Sequence, residues 1–173
     1  MKLKTLAVAS ALLLAAGGAA GQAPPTDAQI AHIVVTANQI DIDAGKLAQT
    51  KGSNSDVKSF GTEMVNAHMG VNKQAQDLVA KLKVSPQDNP TSQNMKSDGA
   101  ANLRRLQVMS GSGFDKAYID REVTYHQQVI DAMDKTLIPN AKNQELKDLL
   151  TKSRPVFAGH LEHAKKIQGA MGG

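Results

Sequence analysis

The chain has 173 residues, with 20 Lys and Arg, 16 Asp and Glu, and no cysteine. That length is about one domain, and the lack of cysteine excludes disulfides and a lipid held by an N-terminal Cys. With three Phe, two Tyr, no Trp and no basic run interleaved with aromatics, nucleic-acid binding is excluded too.

Residues 1–20 predict a secretory signal peptide. Lys2 and Lys4 open it, Thr5 to Ala16 carry no charge, and Gly17-Gly18-Ala19-Ala20 supply small residues for cleavage after Ala20. The apolar run falls short of the roughly 20 residues that a membrane span needs. Cleavage removes Lys2 and Lys4 and leaves 18 basic against 16 acidic residues, close to neutral. The expected location is the periplasm or cell envelope, with no transmembrane span after cleavage.

Residues 21–26 read as an extended leader, followed by one helical domain over 27–171. Thr26 with Gln29 forms a capping-box pattern, so the first helix starts near Asp27. Its apolar residues Ile30, Ile33, Val34, Ala37, Ile40, Ala44 and Leu47 recur at helical spacing. Lys51-Gly52 ends it, and Ser53 with Asp56 reads as the next cap. The second helix carries Val57, Phe60, Met64, Val71, Ala75, Leu78 and Leu82 on one face, and Pro86 and Pro90 close it. Residues 84–100 are loop-like in composition, with a shorter helix expected from about Ser92 to Met109.

Ser110-Gly111-Ser112-Gly113 breaks the chain, and Ser112 with Asp115 reads as a third cap. The third long helix places Ile119, Val123, Ile130, Met133 and Leu137 on a stripe and turns at Pro139-Asn140. The fourth runs from near Lys142 to about Met171, with Pro155 inside it to bend it or split it in two. No segment alternates like a strand. The expected fold is all-α, a ferritin-like four-helix bundle: two antiparallel hairpins joined by a long 2–3 connection over 83–113 that holds a short extra helix. An up-down-up-down bundle is the competing arrangement.

Four polar residues fall in step with the apolar stripes: Asp41, His68, His126 and His160. Imidazole and carboxylate together suit a divalent metal such as Zn, Cu, Fe or Mn, and burying them is unfavourable unless they pair or bind something. At 1.5 Å per residue, His68 and His126 lie about 21 and 18 Å from their hairpin turns, Asp41 about 14 Å and His160 about 27 Å. His68 and His126 are therefore expected level with each other, and His160 away from the rest in the ferritin-like arrangement. The plainer alternative is that these histidines hydrogen-bond to Tyr118, Tyr125, Asn72 or Glu122. His163 and His32 read as solvent-facing. Met64, Met69, Met109 and Met133 read as core filling before copper ligation. There is no Glu-x-x-His, the pairing of dinuclear carboxylate bundles. Glu122 precedes His126 by four positions and Glu63 precedes His68 by five.

Several segments resemble a known family. They are ANQIDIDAGKLA over 37–48, VKSFGTEMVNAH over 57–68, FDKAYI over 114–119, Tyr125-His126, and RPVFAGHL over 154–161. In order and spacing these resemble the bacterial domain-of-unknown-function family 4142, often labelled "putative outer membrane protein". The resemblance implies a ferritin-like bundle behind a signal peptide and no established activity. It differs from the usual family pattern by Asp for Glu at 41 and Ala67-His68 for Asp-His. An integral barrel would need alternating strands.

The leading expectation is a non-enzymatic envelope protein whose partners are other envelope proteins or a second copy of itself. The alternative is a metal- or small-ligand-binding bundle using the inward His and Asp residues. A ferritin-like oxidoreductase is a remote third.

Overall fold

A computed structural model describes residues 23–171; the expected signal peptide, the start of the leader and the last two glycines lie outside the described residues. Each helix begins where a side chain can take up free backbone N–H groups. Thr26 and Gln29 form the expected reciprocal cap of α1, Asp27–Lys51. For α2, Ser55–Leu82, the cap is Asn54 rather than Ser53. Asn89 and Ser92 cap α3, Pro90–Gln107, with Pro90 in the first turn where its missing donor does no harm.

The third long helix is α4, Gly111–Ala132. It continues through a π-turn at Met133–Leu137 into the short α5, Ile138–Asn140. The wider turn sits where Pro139 has no N–H to give. The last helix, α6, Gln144–Met171, passes through Pro155 unbroken, so the split into two does not occur. All described regular structure is helical, and no described helix is long and apolar enough to cross a membrane.

Two carboxylates fix how the helices run. Asp115, near the start of α4, accepts from Ser53 N and Asn54 N, each at 2.9 Å, and from the Ser53 hydroxyl. It caps the α1–α2 turn from another helix, instead of joining Ser112 in a local cap. Asp27, at the start of α1, accepts from Lys142 N at 2.8 Å and Asn143 N at 2.9 Å. The α1–α2 turn and the turn before α6 therefore lie at opposite ends of the bundle. Between them α3 runs along α1, tied at one end by Gln87 N to Ala28 O and at the other by Lys51 Nζ to Gln107 O.

The hairpins α1/α2 and α4/α6 pack with α2 against α6 and α1 against α4. At the α1–α2 crossing a Cβ on Gly45 would lie 2.8 Å from Gly61 O, and the reverse holds for Gly61, so the two backbones touch there. The core divides into two apolar clusters. One, around Ile30, Ile33, Ile130, Leu137, Leu146 and Leu150, fills the end near Asp27. The other, around Ala48, Val57, Phe60, Phe114, Tyr118 and Ile167, fills the end near the α1–α2 turn. Met133 belongs to the first and Met64 to the second, as core filling, whereas Met69 is 54% exposed.

Candidate metal centre

Between the two apolar clusters lies a layer of ionisable side chains. Asp41 from α1, His68 from α2, Glu122 and His126 from α4, and His160 from α6 are 3, 1, 1, 1 and 4% exposed. The helical stripes dictate this: each residue sits three or four positions from an apolar neighbour that must face inward.

All four residues singled out in the sequence meet here. His68, His126 and His160 each offer one nitrogen within 4.8 Å of the others'. Their ring centroids are 5.3–5.7 Å apart. Asp41 Oδ2 lies 3.3 Å from His68 Nε2. The expectation that His160 stands apart is wrong, and the reason is geometric. Because α3 carries the chain along the bundle, the two hairpin turns lie at opposite ends. Asp41 is then ten residues before the end of α1 and His160 sixteen after the start of α6. Measured from opposite ends of a bundle about 38 Å long, depths of roughly 15 and 24 Å meet at one level.

Glu122 is the member that sequence reasoning used only as a hydrogen-bond partner. It joins Asp41 and His126 in a second group with all three ligand atoms within 4.8 Å of one another. Its signal was present: it stands three residues after Ile119 and four before His126, on the same stripe. Asn38 was also missed, although it stands four after Val34.

Hydrogen bonds set the state of each ring. Asn38 Nδ2 donates to Val34 O at 2.9 Å, so its Oδ1 faces His68 and accepts from Nδ1–H at 2.7 Å. His68 Nε2 is then a bare lone pair. His126 Nδ1–H donates to Glu122 O at 3.1 Å, with Glu122 Oε2 3.4 Å away, and its Nε2 meets no partner. His68 Nε2, His126 Nε2 and His160 Nδ1 are buried and make no hydrogen bond; nor does Glu122 Oε2. Of the partners expected from the sequence, Tyr125 instead donates to Ala37 O at 3.1 Å, and the Tyr118 hydroxyl and Asn72 Oδ1 are unpartnered.

The electrostatics divide the layer in two. Burial, with His126 and His160 beside it, lowers the His68 pKa to about 2. Burial, with His126 and His163, lowers that of His160 to about 4. Both rings are held neutral, the form that binds metal. Burial also opposes charge on His126, but Asp41 and Glu122 outweigh it and raise its pKa to about 9. Burial, then the Glu122 charge, raises Asp41 well above the usual carboxylate range.

Such a set can hold a divalent cation. Metal bonds of 2.0–2.1 Å in a tetrahedron put ligand atoms about 3.3 Å apart, and Asp41 Oδ2 and His68 Nε2 already stand at 3.3 Å. Asn38 behind His68 and the Glu122 carbonyl behind His126 are partners of the kind that orient imidazoles in metal sites.

No curated protein matches the chain. Among solved structures it is similar to a DUF305 fragment from Deinococcus radiodurans, with a TM-score of 0.71 and 11% identity, covering 86% of this chain and 99% of that one. At that identity the likeness shows a shared helical fold. The family model described as Domain of unknown function (DUF4142) matches residues 13–167, through all four helices that carry the buried layer. The chain therefore belongs to the DUF4142 family.

Proposed function

We propose that this protein is an exported, non-enzymatic, ferritin-like bundle of the periplasm or cell envelope that holds a divalent transition metal in its interior. The metal would be bound by His68, His126 and His160, with Asp41 as fourth ligand. One observation carries this reading: His68, His126 and His160 each bury a nitrogen without a partner, and the three rings each offer a nitrogen within 4.8 Å of the others'. An unpartnered buried polar atom costs about 1–3 kcal/mol. A cation would remove that cost three times over. Support for export is the charge and size pattern of residues 1–20. Support for a binding role is the lack of a Glu-x-x-His pair.

Calorimetric titration of the metal-free mature protein with Zn, Cu, Fe and Mn tests it. One saturable site tighter than about 10 μM is expected for at least one of them, lost in His126→Ala. Absence of any such site in the wild type rejects the metal. Recovery in the osmotic-shock fraction is expected for the location; recovery only from the cytoplasm rejects export.

A further inference from the structure

Of the five buried groups, His160 lies beside a partly exposed carboxylate. Its Nε2 lies 3.9 Å from Glu63 Oε1, and the other oxygen of that carboxylate is 2.8 Å from His163 Nδ1. Glu63 and His163 are each 42% exposed at the side chain, while the His160 side chain is 5% and that of His68 1% exposed. Exposure thus falls stepwise along one line of ligand-type atoms, from the α2–α6 rim to the centre. Phe60 meets the His163 ring edge-on at 5.3 Å and holds it against the rim.

We propose that Glu63 and His163 form the entrance to the buried site, a rim subsite that captures a divalent cation and passes it to His160. The proposal rests on the metal reading given above. The chemistry is that of a borderline cation. A carboxylate attracts it from water, an imidazole adds a nitrogen ligand, and both still leave it partly hydrated. His160 has one nitrogen toward the rim carboxylate and its other nitrogen buried without a partner, so the ring spans the step from rim to interior. A negative group at the mouth of a low-dielectric site raises the arrival rate of cations by 10-fold or more at low salt, on the order of other steered encounters. On the α1–α4 side the layer is flanked by a cation instead, Arg121, 4.7 Å from the Tyr125 ring centroid.

The test uses the mature protein and Co(II), whose absorption reports binding in a stopped-flow instrument. Glu63→Gln and His163→Gln both sit at the surface and should melt close to wild type, which a thermal scan checks. The expected result is an association rate about 10-fold lower in Glu63→Gln at low salt, with the dissociation rate falling too and the difference shrinking as salt is added. His163→Gln should show a smaller loss in the same direction. A residue that only positioned His160 would speed dissociation and leave association alone, and that outcome overturns the entrance. Association within about twofold of wild type in both variants also overturns it, while leaving the buried site standing. If wild type binds no Co(II) at all, the buried site falls and the entrance falls with it.

Discussion

Around the α1–α2 turn, Phe60, Phe114 and Tyr118 stack edge and face among Val57, Ile119 and Ile167, and apart from the Tyr118 hydroxyl the space is filled by carbon. About two helical turns further along the same helices, His68, His126, Asp41 and Glu122 occupy equivalent inward positions and are just as buried. The first region is what a bundle needs to stay folded. The second works against folding, because each of its groups leaves water with its hydrogen bonds only partly replaced. Inward position is therefore not the same as contribution to stability.

Substitution should separate the two regions. Phe60→Ala removes a fully buried ring that touches Tyr118 at a centroid distance of 6.2 Å. It should lower unfolding free energy by about 3–5 kcal/mol in urea denaturation. A loss under about 1 kcal/mol would mean that this end is loosely packed and the contrast is false. His160→Leu should act in the opposite sense. His160 is buried, its Nδ1 has no partner, and its nearest carboxylate is 3.9 Å away. Replacing it with carbon in the metal-free protein should raise stability by about 1–2 kcal/mol, while abolishing the proposed metal site. A destabilisation of that size instead would show a polar layer that packs as tightly as the apolar ends.

The contrast was half legible in the sequence. Helical spacing located all four long helices and put Asp41, His68, His126 and His160 on inward stripes. Depth along the bundle was harder, since counting residues from a turn says nothing about which end that turn occupies. The answer lay in Asp27 and Asp115, whose carboxylates cap turns more than 60 residues away in sequence. Both read locally as ordinary helix-start acids. Glu122 reads only as a hydrogen-bond partner and Asn38 not at all, because their roles depend on Asp41 and His68, which other helices bring beside them. His163 read as a solvated surface residue. It is half-exposed, but its pairing with Glu63 depends on how α2 meets α6. His32, also read as solvent-facing, is partly covered, with Nδ1 3.5 Å from Asp88.

Acid titration of the metal-free protein spreads its effect over several pH units, and it probes the same contrast without mutation. The pKa values of His68 and His160 are lowered to about 2 and about 4 in the fold, against about 6.5 in an unfolded chain. Below pH 6.5 the unfolded chain takes up protons that the fold refuses, so their stabilising share is complete above 6.5 and is lost as pH falls, until about 4 for His160 and about 2 for His68. The loss is at most about 1.4 kcal/mol per imidazole per pH unit. His126 has the opposite sign. Its pKa is raised to about 9, so its share is complete below pH 6.5 and is lost as pH rises through 9. Stability from these three rings should therefore peak near pH 6.5 and fall on both sides. Urea midpoints at pH 8.5, 6.5, 5.5 and 4.5 read it out, and His160→Leu should flatten part of the acid limb and leave the alkaline limb. A flat acid limb in the wild type would mean that water reaches the rings and protonates them within the fold. The layer would then be a wet seam between two cores rather than a dry site waiting for a cation.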